Sequence, residues 1–188
     1  MDEPIDGLAA GAAMRLRCLA DRVVDRRPTA SHNLWFELGW LSEKRSMDAI
    51  EHKLKQLVTR DGRVVYQFTL RDPMAYHALR LAYGQRPPFK DGDERKLHYS
   101  RMMAPAIPRA LYVGSGRDLR TRVSQHVGRV GGPGIYGMRL DLWATKVTAI
   151  VDLDFWLYET DLNPIELEAL EQELWDVCTP LLGKRSGK

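Results

Sequence analysis

Long apolar runs are missing from this sequence. No hydrophobic stretch approaches the ~18–20 residues that cross a bilayer. The opening MDEPIDGLAAG carries acids where a secretory signal carries a basic segment. Both absences point to a cytoplasmic protein without a membrane partner. Cysteine is scarce as well. Cys18 and Cys178 stand alone, with no C-x-x-C or Cys/His spacing, which argues against a disulfide framework and a structural zinc site and for buried free thiols. No internal repeat and no low-complexity tract is present. A strong excess of one charge is missing too, since 28 Lys and Arg against 25 Asp and Glu leave a net +3. What remains, 44% hydrophobic and 28% charged over 188 residues, is the make-up of a soluble globular chain rather than a disordered or collagen-like one.

The charge is uneven along the chain. Residues 1–108 hold 18 basic and 14 acidic side chains, residues 109–146 hold 7 and 2, and residues 147–188 hold 3 and 9. A positive helix facing a polyanion produces such a pattern, and so does a fold that pairs its own basic and acidic segments. Charge alone leaves both open.

Hydrophobic spacing predicts a helix through Leu8, Ala12, Leu16, Leu19 and Val23, a second over Leu34 to Leu41, and a third through Met47, Ile50, Leu54 and Leu57. Asp61 and Gly62 supply a turn. Val64, Tyr66, Phe68 and Leu70 then alternate with Val65, Gln67 and Thr69, the period of a strand. A helix follows, with Asp72 as N-cap, Pro73 at its first position and Gly84 as its stop. Helices followed by a turn and a strand resemble a winged helix, a nucleic-acid reader. The run QRPPFKDGDERK over 85–96 has the composition of a linker. The expected domains are therefore 1–92, mainly helical, and 93–188.

In the second half, Leu97 to Met102 and Ala110 to Gly114 suggest a hairpin around the loop MAPAIP. A helix carries Leu119, Val123 and Val127, the run GGPG interrupts the chain, and a further helix carries Met138, Leu140 and Trp143. A strand over Val147 to Tyr158 precedes a helix started by Asn163 and Pro164, with Leu167, Leu170, Leu174, Val177 and Cys178 on one stripe. The expected class is α+β.

Arg122 and His126 lie four apart on a helix, so one face presents both. A guanidinium can hold a phosphate and a histidine can exchange a proton near neutral pH; a solvated surface pair has the same spacing. The wider string is more specific. Tyr112, Val113, Gly114, Leu119, Arg122 and His126 read Y-V-G-x4-L-x2-R-x3-H, and downstream Glu171, Leu174, Pro180 and Gly183 follow the order E-x2-L-x5-P-x2-N, with glycine at the last place. Over residues 96–185 the chain resembles the GIY-YIG nuclease family.

The resemblance implies a small three-stranded antiparallel sheet flanked by helices, and divalent-metal-dependent hydrolysis of DNA phosphodiester bonds. Glu171 would bind Mg²⁺ or Mn²⁺, Arg122 would stabilise the charged transition state, and Tyr99 would activate a water with His126 aiding proton removal. Tyr112 would position the phosphate or the water. Tyr99 stands thirteen residues before Tyr112, so the hairpin loop would be longer than the family's, while the literal Gly134-Ile135-Tyr136 falls after the Y-V-G helix and is a decoy. Arg117, Arg120, Arg129 and Arg139 are candidate phosphate contacts. A single-site nuclease cuts both strands by forming a homodimer or by acting twice. Gly183, where the family has asparagine, leaves a second expectation: a catalytically inactive nucleic-acid-binding or regulatory module on the same scaffold. A left-handed backbone at Gly183 would accept asparagine with little strain.

Overall fold

Residues 30–37 alternate. His32, Leu34 and Phe36 fall on one side and Ser31, Asn33, Trp35 and Glu37 on the other, which is the period of a strand. The computed structural model of the chain describes residues 3–58, 62–87, 98–103, 108–130 and 136–186, without the side chains of 3–9. In it this segment is strand β1 (Ala30–Glu37), with Leu34 and Phe36 buried. The helix expected over Leu34 to Leu41 is thus corrected to a strand and a 3-10 turn, Leu38–Ser42. Trp35, an apolar residue 39% exposed on the outward face, completed a false helical stripe.

Helix α1 (Glu3–Asp25) precedes β1, and α2 (Lys44–Leu57), β2 (Arg63–Leu70) and α3 (Ala75–Gly84) follow it. The second half contributes β3 (His98–Tyr99), β4 (Tyr112–Gly116), α4 (Leu119–Val127), β5 (Tyr136–Gly137), α5 (Leu140–Trp143), β6 (Ile150–Tyr158) and α6 (Pro164–Cys178). The class is α+β, as expected. Most of the expected linker at 85–96, Asp61, the middle of the MAPAIP loop, the GGPG run and Ile135 lie outside the described residues.

Strands β1, β6, β2 and β4 form one antiparallel sheet in that spatial order. Three expectations change with it. The sheet has four strands rather than three, because β1 adds to the outer edge of β6. Strand β4 pairs with β2, Tyr66 opposite Gly114, and not with the 97–102 segment, where β3 runs parallel to β5. A boundary near residue 92 would cut through hydrogen-bonded strand pairs, since β6 lies between β1 and β2. The first half is mainly helical, but its expected wing, β2, is an interior strand of the sheet rather than part of a separate winged-helix-like layer.

One face of the sheet is buried, and α6 covers the other over β2 and β4 while the outward residues of β1 stay exposed. Phe36, Tyr66, Phe68, Leu153 and Phe155 point to the main core, where Leu54, Leu79, Leu119, Val123 and Leu140 from the helices meet them. Val65 and Val113 point the other way, onto Leu167 and Trp175 of α6. Asn163 caps α6, its side-chain oxygen accepting from the N–H groups of Ile165 and Glu166. Beyond α6 the chain doubles back: the Leu181 and Leu182 N–H groups donate to the carbonyls of Ala110 and Leu111, and Gly183 donates to Arg101.

Helix α1 is held by charge where an apolar stripe was expected. Leu16 is 66% exposed and Cys18, expected to be buried, is exposed as well, whereas Arg22 and Arg26 both reach Glu166, 2.8 and 3.0 Å away and only 1% exposed. A carboxylate this buried requires such partners. Among the described residues no helix is long and apolar enough to cross a membrane.

Candidate active site

Strand β4 is an edge of the sheet, so residues on its two faces can meet beyond that edge. Tyr112 lies on the face shared with α4, and Ser115 contacts α6 through Glu171, whose Oε2 accepts from the Ser115 hydroxyl. Asp118 caps α4, accepting from the Thr121 N–H at 3.0 Å, and thereby sets the rotation that turns Arg122 and His126 toward β2 and β4. A cleft of about 650 Å³ opens here, lined by Tyr99, Arg101, Tyr112, Arg122, Tyr136 and Glu171 with Gly183, Lys184 and Ser186. Residues from β4, α4 and α6, far apart in sequence, thus share one cavity.

Behind the cleft sits a tyrosine that the sequence reading passed over. Tyr66 is fully buried on β2, stacks on Tyr112 at 6.3 Å between centroids and 17° between planes, and places its hydroxyl 3.1 Å from His126 Nε2. His126 Nδ1 faces the Met138 N–H at 3.3 Å. That nitrogen accepts, so the ring hydrogen sits on Nε2 and donates to the Tyr66 oxygen. Arg122 lies beside both phenols and donates Nη1 to Gln125 Oε1 at 2.6 Å. The local signal for Tyr66 was a hydroxyl on the inward face of a strand whose other inward residues, Val64, Phe68 and Leu70, are apolar.

Electrostatics follow burial. It pushes both Tyr66 and Tyr112 up from the usual phenol range, and Arg122 opposes the rise in each. The guanidinium is itself held above its usual value: burial works against the charge, and the two phenol oxygens outweigh it. Glu171 is raised by burial, opposed by the hydrogen bond from Ser115 and by the nearby Ser186 hydroxyl. His126, buried and next to the Arg122 charge, is driven well below its ordinary value and stays neutral.

That depression has a measurable consequence. Below about pH 6.5 the unfolded imidazole binds a proton that the folded one does not, so the stability His126 contributes is complete above that pH and falls as the pH drops. Denaturant midpoints should decrease from about pH 7 to 5. The decrease should be shallower in His126→Phe, by up to about 1.4 kcal/mol per pH unit. Equal slopes in both proteins would mean that the folded imidazole takes up a proton as readily as the unfolded one.

The structure brings Tyr112, Arg122, His126 and Glu171 together. Tyr99 lines the same cleft, but its hydroxyl donates to the Pro87 carbonyl at 3.1 Å, while the phenol beside Tyr112 belongs to Tyr66. Among the four candidate phosphate contacts, Arg117 and Arg120 are exposed. Arg129 already reaches Asp48 and Glu51 at 2.5 and 3.0 Å. Arg139 is corrected: it is buried beside Asp141, 3.6 Å away, because a left-handed backbone at the start of α5 turns it inward.

Gly183 is corrected as well. Its φ is +114°, and a Cβ there would meet the rings of Trp175 and Tyr112 at 3.0 Å. That is well outside the left-handed region asparagine tolerates, so this glycine serves a close backbone approach to Tyr112.

The chain has no match among protein-family models, curated proteins or solved structures.

Proposed function

We propose that this chain is a divalent-metal-dependent endonuclease that hydrolyses DNA phosphodiester bonds, with a GIY-YIG-type site. The observation that carries this reading is the convergence of Tyr112, Arg122 and Glu171 on one cleft, with Tyr66 and His126 fixing the first two from behind. A decayed site has no chemical need to keep a phenol, a guanidinium and a carboxylate around one cavity.

Among the described residues no group of three or more His, Cys, Asp and Glu forms a metal cage. Glu171 with the Ser115 and Ser186 hydroxyls is a sparse, all-oxygen donor set. Such a set suits Mg²⁺ or Mn²⁺, hard ions whose remaining positions can be filled by water and phosphate oxygens, and does not suit zinc. Glu171 would hold the ion, which supplies charge neutralisation at the phosphate and the leaving oxygen.

Arg122 faces the phosphate and stabilises the charge developing on it. The Tyr112 oxygen, kept a phenol by burial, accepts a hydrogen bond from the attacking water and orients it. Tyr112 replaces Tyr99 in this role, since Tyr99 directs its proton to a backbone carbonyl. Tyr66 and His126 are fully buried and act as positioning residues, the neutral imidazole donating to Tyr66 rather than receiving the water's proton.

Incubation of supercoiled plasmid with Mg²⁺ tests the reading. The wild type should nick or linearise it, and Glu171→Gln should lose cleavage by about a hundredfold or more while binding DNA in metal-free buffer nearly as well, since no phosphate-contacting cation is removed. Binding without cleavage by the wild type would favour the inactive binding module. Equal cleavage by wild type and variant would remove Glu171 from the site.

A further inference from the structure

The literal Gly-Ile-Tyr that the motif reading set aside ends in Tyr136, and Tyr136 lines the cleft. Tyr136 is 58% exposed. One face of its ring is stacked on His98, 4.9 Å away between centroids and 18° from parallel, which among the described residues leaves the other face open. The two rings are register partners of the β3–β5 ribbon. That ribbon is tied down: the Ser100 N–H donates to the Gly137 carbonyl at 2.9 Å, and the Met138 N–H donates to His126 Nδ1. A backed, anchored aromatic ring at the mouth of a cavity lined by Arg101, Arg122 and Lys184 combines a flat apolar surface with cations for a backbone.

We infer that Tyr136, backed by His98, is a stacking platform for a nucleobase next to the phosphate held by Arg122, so that the cleft takes DNA whose bases at the cut are unpaired. This rests on the nuclease reading of the same cleft and adds the substrate class. The reason is geometric. Within a duplex each base has both faces covered by its neighbours, and a protein ring can stack on one only after it has left the stack. Stacking on single strands needs no such opening and tolerates any base, because every base has a π-face.

The test uses the full chain in metal-free buffer, where binding is read without cleavage, and an oligonucleotide carrying the fluorescent base 2-aminopurine in three settings: single-stranded, bulged from a duplex, and paired within a duplex. The wild type should bind the first two more tightly than the third, with a fluorescence change on binding. Tyr136→Ala should weaken single-strand and bulge binding about tenfold or more and erase the fluorescence change, while Tyr136→Phe retains both. Cleavage with Mg²⁺ should follow the same order of substrates. Paired duplex bound and cut as well as the single strand, or Tyr136→Ala equal to wild type, would overturn the platform. The two readings separate cleanly. A wild type that cuts plasmid while Tyr136→Ala changes nothing removes the platform alone. A wild type that never cuts but loses single-strand binding in Tyr136→Ala keeps the platform and removes the nuclease.

Discussion

Removal of residues 1–92 should leave a fragment that does not fold. The cut takes away β1 and β2, the two neighbours of β6, and β2 is the sole sheet partner of β4. Of the four-stranded sheet only β4 and β6 would remain, with no ladder between them, each exposing unpaired N–H and C=O groups along its length. The core goes with them. Leu34, Phe36, Leu54, Val64, Tyr66 and Phe68 are all buried. At about 1.5–3 kcal/mol for each large side chain removed from contact, their loss alone is as large as the ~5–15 kcal/mol by which a domain is stable. The 93–188 fragment should therefore be insoluble, or soluble without near-ultraviolet circular dichroism and without a cooperative melt. A fragment that melts cooperatively would show that 93–188 holds a core of its own and restore the boundary expected from the proline-rich, charged 85–96 run.

That boundary misled for a physical reason. Composition reports on a segment's own solubility and stiffness, not on which strand it leads to, and a surface connection inside one domain can be as polar as a linker between two. The same limit hid Tyr66. Strand pairing is non-local, so the partner of Tyr112 was sought within one hairpin length and found at Tyr99, whereas β2 supplies it from forty-six residues upstream. What was legible came from local geometry. Arg122 and His126 share a face because helical spacing makes them do so, and Asn163-Pro164 starts α6 where its capping chemistry requires. Glu171 is an intermediate case: several acids share its helix, and periodicity did not single it out. The contact from Ser115, the residue directly after the Y-V-G triplet, does. Arg139 illustrates the opposite error, an arginine read as a candidate phosphate contact whose direction depends on one left-handed residue.

Gly114→Ala should damage stability and cleavage together. A Cβ at position 114 would lie 2.6 Å from the Tyr66 hydroxyl oxygen, 2.8 Å from the ring carbon bearing it and 2.9 Å from a ring carbon of Tyr112. None of these atoms is the free end of a flexible chain. The Tyr66 ring is fully buried among Phe68, Tyr112 and His126, and residues 66 and 114 are paired across the β2–β4 ladder, so neither backbone can slide without breaking register. Overpacking of this kind costs about 1–3 kcal/mol, a fall in melting temperature of roughly 2–12 °C for a chain of this size. The displaced phenol would also withdraw the oxygen to which His126 donates and which helps hold Arg122, and cleavage should fall by about tenfold or more. Adding Tyr66→Phe to Gly114→Ala distinguishes the two effects, because it deletes the atom in closest conflict. The double variant should regain melting temperature relative to Gly114→Ala while cleavage stays low, since the oxygen facing Arg122 and His126 is displaced in the single variant and absent in the double. Recovery of cleavage in the double variant would mean that Tyr66 only fills space, and that Arg122 is positioned by Gln125 and Tyr112 without it.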